Sequence, residues 1–322
     1  MSEEPTTEAY NHTHRAFLQA FLSHPTLTLP TARPILAAIL TAASPSRPTL
    51  PADITDADFQ SYIAAINASL SPLDYEIRST RDQKDRSAVL IWALVNTTSD
   101  GLTQLATTYS ADEIAFVKRV LDAMFETNNT ARAEIMAVTG MQALKLHRAA
   151  GGVRAAQVDG DGEQTQGSAG QGLTMAAAER VLASLVQEGW FERSKSGFYS
   201  LSPRALMELR GWLIETYNEP AGEEEDEVEV VRIRVCQACR EIVTVGQRCP
   251  NMDCGCRLHD FCTRNIFRVE GAERCPLCKT AWDDQHPVGE KAARAGARRS
   301  SGNASRRTTM QTDGADESED DG

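Results

Sequence analysis

The stretch "CPNMDCGCRLHDFC", residues 249–262, packs four cysteines and a histidine into fourteen positions. All eight cysteines of the 322-residue chain lie between 236 and 278, and His259 sits among them. Two tetrahedral metal sites need eight ligands, so nine candidates compete for eight places. They group as Cys236-x2-Cys239, Cys249 with Cys254 or Cys256, His259-x2-Cys262, and Cys275-x2-Cys278. A pair two residues apart can turn tightly and aim both side chains at one ion. A segment of this size has no room for a large core, so metal binding must supply much of its folding free energy. A disulfide framework is the other use of dense cysteines. It suits small secreted domains, whereas the acidic, polar N-terminus "MSEEPTTEAYNHTH" resembles neither a signal nor a transit peptide. A soluble intracellular protein with two zinc ions is expected.

Composition supports an ordinary globular chain: 41% hydrophobic and 24% charged residues, with the longest apolar runs, such as "AVLIWALV" at 88–95, too short to span a membrane. The net charge of −12 comes from two acidic segments, 219–229 ("EPAGEEEDEVE") and 313–321, and the remainder is close to neutral. Bulk charge therefore gives little support to nucleic-acid binding.

Upstream of the cysteines, Phe17, Leu18, Phe21 and Leu22 share one face of a helix over 10–23. "ARPILAAILTAA" and "DITDADFQSYIAAINASL" read as two more helices, the second capped by Asp53. Strand-like runs at 75–79 and 88–95 then flank a charged tip at 80–87. Three helices and a two-stranded wing is the order of a winged helix. A similar order recurs. Ser110 and Glu113 form a capping box for an amphipathic helix, and "ARAEIMAVTGMQALKLHR" reads as a short helix with a continuation. The helix in "LTMAAAERVLASLVQEGW" buries Leu182, Leu185 and Val186, "WFERSKSGFYSL" is strand–turn–strand, and Ser202-Pro203 starts a closing helix. The glycine-rich break at 150–172 lacks the Lys-Ser/Thr of a phosphate loop and reads as a flexible insertion.

The expected architecture is mostly α with small β-wings: a first winged helix at 1–100, a second at 101–218, an acidic linker at 219–231, a cross-braced zinc module at 232–284 and a disordered tail at 285–322. The basic half of the tail, with Lys291, Arg294, Arg298, Arg299, Arg306 and Arg307, fits a nuclear import signal, a pattern common by chance.

The ligand order and "CPLC" at 275–278 resemble a variant RING finger. A PHD finger, a chromatin reader, shares the order but carries an aromatic residue where this chain has Glu273. The RING resemblance implies cross-bracing: Cys236, Cys239, His259 and Cys262 at site one, Cys249, Cys254, Cys275 and Cys278 at site two, all closed structural sites. Its spacing makes Cys256 the non-ligand.

Two winged helices, an acidic linker and "CQAC…CPNMDCGCRLHDFC…RCPLCKTAW" together resemble the non-structural maintenance of chromosomes element 1 family. That family is a subunit of the genome-maintenance complex built on the fifth and sixth SMC proteins. The resemblance implies a nuclear, chromatin-associated RING-type ubiquitin ligase acting in DNA repair and recombination. A RING holds no catalytic acid, base or nucleophile; it docks a ubiquitin-conjugating enzyme and orients its ubiquitin thioester. On this chain Ala238, Pro276, Leu277 and Lys279 fall at the docking positions. Ala238 replaces a bulky aliphatic residue and Lys279 an arginine, which implies weak activity without a partner. The implied partners are a MAGE-type winged-helix subunit (element 3) and a kleisin-type subunit (element 4). The other readings are a non-enzymatic zinc-stabilised scaffold and, behind it, the PHD-type reader.

Overall fold

A computed structural model describes residues 10–85, 89–98, 108–148, 172–220, 229–271 and 273–294. The first unit contains α1 (His12–Ser23), β1 (Leu27–Thr28), α2 (Leu29–Ala43), α3 (Asp56–Leu70), β2 (Tyr75–Arg81) and β3 (Leu90–Asn96). The strands form an antiparallel sheet in the order β1-β3-β2. Three helices and this wing enclose Phe17, Leu36, Phe59 and Ile66, all fully buried. Trp92 closes the core from the wing, edge-on to Phe59 at 4.9 Å between ring centroids. Leu22, expected on the buried face, is 61% exposed, because the helix turns only its Phe17/Phe21 stripe inward. The cap of α3 is Thr55 rather than Asp53. The Thr55 hydroxyl accepts from Asp58 N at 3.1 Å, while the Asp53 carboxylate accepts from Leu50 N at 2.8 Å in the preceding turn.

The second unit repeats the plan with α4 (Ala111–Asp122), β4 (Val138–Thr139), α5 (Gly140–Lys145), α6 (Met175–Gln187), β5 (Phe191–Arg193), β6 (Phe198–Leu201), α7 (Pro203–Glu208) and α8 (Arg210–Tyr217). Its sheet order is β4-β6-β5. Ser110 and Glu113 form the expected capping box, and Ser202 caps α7. Of the short helix and continuation expected within 131–148, the helix is Gly140–Lys145. The residues before it form a turn at Thr130–Ala133 and an irregular stretch, with Met136 in the left-handed region at φ 46° and Glu134 turned into the protein. A tertiary ion pair, described below, overrides helix propensity there.

The acidic segment leaves and returns through a two-stranded pair, β7 (Asn218–Glu219) with β8 (Val230–Val231), and residues 221–228 lie outside the described part. The Asn218 side chain locks this pair, accepting from Ile233 N at 2.8 Å and donating to Ile233 O at 3.0 Å. The C-terminal module adds β9 (Gly246–Arg248), β10 (Arg257–Leu258), α9 (Asp260–Glu270) and β11 (Pro287–Val288), with sheet order β10-β9-β11.

The expectation of a disordered tail from 285 needs correction. Residues 287–288 pair with β9, and Val288 and Ala292 are buried. That backbone pairing adds the third strand of the small sheet, and Val288 is buried in the core. The rest of that tail, from 295, and the insertion expected at 150–172, described only at Gly172, lie outside the described residues.

The second winged helix and the C-terminal module share one apolar core. It runs continuously from Phe116, Phe125, Leu213 and Tyr217 to Ile233, Ile242, Leu258 and Trp282. The first winged helix docks through its wing, where Ala93 and Val95 pack on Met207. At the wing tip the Gln83 amide donates to Ile242 O at 2.8 Å and accepts from Thr244 N and Val245 N, each at 3.0 Å. Lys84 pairs with Glu192 in the second wing, and the Arg81 guanidinium lies 6.0 Å from the Phe261 ring centroid. Two of the basic residues that a nucleic-acid reading of the first wing would need are thus turned onto the protein itself.

Candidate metal centres

The first and last cysteine pairs sit in turns built alike. Cys236 N donates to Glu241 O at 2.8 Å and Arg240 N to Cys236 O at 3.0 Å; Cys275 N donates to Thr280 O at 2.8 Å and Lys279 N to Cys275 O at 3.0 Å. Each turn places its residue after the second cysteine in the left-handed region, Arg240 at φ 64° and Lys279 at φ 61°. The tight return swings both sulfurs to one side. Cys249 directly follows β9 and Cys254 follows a turn, while His259 caps α9 and Cys262 lies in its first turn. Helix and hairpin thereby deliver the two middle pairs to different donor groups.

Two donor groups result. Cys236, Cys239, His259 and Cys262 converge with their ligand atoms within 4.8 Å of one another, and so do Cys249, Cys254, Cys275 and Cys278. The first and third pairs form one group, the second and fourth the other. Cys256, fully buried, belongs to neither. Three sulfurs with one nitrogen, and four sulfurs, are soft donor sets of tetrahedral size that fit a borderline divalent ion with no open position.

The imidazole is held for this role. His259 Nε2 lies 3.2 Å from Ile242 O, which fixes the proton there and leaves Nδ1 facing Cys239 Sγ at 3.3 Å and Cys262 Sγ at 3.9 Å. Protonation is strongly shared within each group. Sulfur hydrogen bonds from Cys239 and Cys262 hold Cys236 well below the thiol range, and the contacts of Cys262 with Cys236 and Cys239 push Cys262 up. Burial lowers His259, but its bonds to Cys236 and Cys239 outweigh that and lift it to about 9. Burial raises Cys249, Cys254 and Cys256, whereas hydrogen bonding with Thr280 brings Cys278 down to about 6. Each ligand must lose its proton to bind an ion, so acidification favours release.

Composition and spacing do not reveal the residues that brace these groups. Glu134, from the second winged helix, is buried against Arg257, which donates through Nε at 2.7 Å and also through Nη2, and against Arg248 at 3.3 Å. The Arg257 Nη1 donates to the carbonyls of Cys254 at 3.0 Å and Cys256 at 2.7 Å. Burial, and then Arg257, lower the pKa of the neighbouring Arg234. The one sequence signal was two arginines bracketing the Cys249–Cys256 turn of a small module.

The docking residues expected from the sequence lie on the turns of the first and last cysteine pairs. Ala238 and Lys279 are exposed, Pro276 is half-buried, and Leu277 is 53% exposed.

Cys256→Ala is expected to leave metal content unchanged and Cys254→Ala to lose one ion per chain, read by elemental analysis of the purified protein. Loss of an ion from the Cys256 variant would reverse the assignment.

Two winged helices fused through one core to a cross-braced, two-site Cys/His module define a tandem winged-helix protein of RING-like type. The family model "Nse1 non-SMC component of SMC5-6 complex" matches residues 14–209, and a "RING-like domain" model matches 236–278. The chain belongs to the Nse1 family. Similar proteins include the non-structural maintenance of chromosomes element 1 homolog of Homo sapiens, 23% identical over 71% of this chain and 70% of that protein. The homolog of Xenopus laevis is 23% identical over 70% of this chain and 68% of that one, and element 1 of Schizosaccharomyces pombe 25% over 72% and 81%. A chain of a solved Nse1-Nse3-Nse4 complex superposes with a TM-score of 0.62 at 21% identity, over 85% of this chain and 98% of that chain, a likeness of fold.

Proposed function

We propose that this chain is a RING-type ubiquitin ligase subunit of an SMC5-6 complex, with zinc at both donor groups. Cys236, Cys239, His259 and Cys262 hold one ion, and Cys249, Cys254, Cys275 and Cys278 the other. The observation that carries the ligase reading is the rim of the module: exposed Leu277 beside Pro276, with Ala238 and Lys279 on the two matching turns. A conjugating enzyme docks there, and Lys279 donates a hydrogen bond towards the bound ubiquitin. The ubiquitin acyl group then passes from the enzyme's thioester sulfur to a substrate amine, the thiolate leaving. The module supplies position and no acid, base or nucleophile.

The winged helices bind the other subunits, a MAGE-type and a kleisin-type protein. Two observations support this. The structurally similar chain belongs to a complex of Nse1 with Nse3 and Nse4, and an open groove of about 490 Å³ lies between the two units, lined by Phe21, Leu22, Tyr75 and Trp190. In this reading the protein works in the nucleus on chromatin, in repair and recombination.

The test is ubiquitin transfer by the zinc-loaded full chain with a panel of conjugating enzymes, with and without the MAGE-type partner. Transfer that depends on zinc and rises with partner is expected, and Leu277→Asp is expected to lower it roughly tenfold or more by removing an apolar anchor. No transfer under any of these conditions removes the catalytic reading. A scaffold role would then stand, favoured by Ala238, too small to grip a partner enzyme well, and by the core shared between module and winged helix.

A further inference from the structure

Each donor group is braced by a different winged helix. At site one, Ile242 O receives both His259 Nε2 (3.2 Å) and Gln83 Nε2 (2.8 Å), so the tip of the first wing and the ligand imidazole meet on one carbonyl. Gln83 Oε1 also fixes the following amides at Thr244 and Val245, which leaves the carbonyl little freedom to turn. At site two, Glu134 of the second winged helix holds Arg257 through two nitrogens, and the third nitrogen of that guanidinium grips the carbonyls of Cys254 and Cys256. The Cys256 carbonyl in turn accepts from Cys249 N at 3.2 Å, so one guanidinium secures the turn carrying both Cys249 and Cys254. The wide four-residue gap between these two cysteines is the least constrained spacing in the module. It is here that the brace from outside the module is strongest.

We propose that Gln83 and Glu134 are positioning residues for the metal sites, Gln83 for site one through Ile242 and His259, and Glu134 for site two through Arg257 and Cys254. The inference rests on the metal reading given above. Its consequence is a two-way link: a partner that moves the first wing alters ion retention at site one, and one that shifts the Glu134 loop alters site two. Groups that orient metal ligands from outside typically change metal affinity by about 10–100-fold.

The test uses the full chain loaded with cadmium-113, whose two NMR resonances distinguish a four-sulfur from a three-sulfur, one-nitrogen site. Ion loss to a chelator is followed at each resonance. Gln83→Met keeps the length and charge of the side chain but removes its hydrogen bonds. Glu134→Asp keeps the charge but shortens the reach to Arg257. Gln83→Met is expected to speed loss about tenfold from site one alone, and Glu134→Asp about tenfold from site two alone. Thermal melting of both variants is recorded in parallel. Acceleration of both sites together, as general destabilisation would produce, or no change at either, overturns the proposal. A wild-type chain that does not retain two ions overturns the metal reading instead, so the two failures are distinguishable.

Discussion

Cys275→Ser is expected to cost one metal ion and, with it, the packing of the core that the C-terminal module shares with the second winged helix. Cys275 is fully buried in the second group, and its turn is closed by its own amide to Thr280 O. A structural zinc contributes on the order of 10 kcal/mol to the folding of a small module, as much as the whole stability of a typical domain. No hydrophobic core of comparable size exists among the described residues of the module to replace it. The apolar residues it does possess, among them Ile242, Leu258, Trp282 and Val288, belong to the same cluster as Phe125, Leu213 and Tyr217 of the second winged helix. Loss of the ion therefore removes one wall of that winged helix's core. Elemental analysis should find one ion per chain, and hydrogen exchange should show lost protection around Phe125 and Tyr217 as well as in the turns carrying Cys249, Cys254 and Cys278. The first winged helix has a core of its own around Phe17, Leu36 and Phe59 and should keep its protection. Two retained ions, or an unchanged second winged helix, would contradict this account.

Glu134→Ala is the second large effect. Its carboxylate is 6% exposed between Arg248 and Arg257, themselves 5% and 4% exposed. Replacing such a pair wholesale by apolar groups can be neutral, but removing one partner leaves buried charges without compensation. The expected cost is about 3–5 kcal/mol. In a chain of this size that lowers the melting temperature by about 10 °C. The double variant Glu134→Ala/Arg257→Met, which also removes one of the two stranded charges, should recover part of the loss. Additive destabilisation by the two changes would show that the pair is not coupled.

The chemistry of the two donor groups was legible in the chain because it is written at short range. Ligands two residues apart define turns, and the cross-brace was what the RING resemblance of the four ordered pairs implied. The winged-helix order was legible for the same reason, since helical and alternating periodicities and the caps at Ser110 and Ser202 are properties of neighbouring residues. Where a neighbouring rule competed with a distant partner, the sequence misled. Residues 131–137 have helix-forming composition, yet Glu134 is drawn out by Arg257, 123 positions away. Residues 287–292 look like the start of a polar tail, yet Val288 finds the edge of β9 and is buried there. Gln83 reads as a polar loop residue, and its role appears only when Ile242, 159 positions later, is folded against it.

By itself the sequence determined which residues can hold metal and in which order the elements run, since propensity, periodicity and ligand spacing act between near neighbours. The tertiary structure alone decided that module and second winged helix share one core, and that Gln83 and Glu134 reach the two donor groups. Those are encounters between side chains far apart along the chain, and such encounters depend on where the folded backbone carries them.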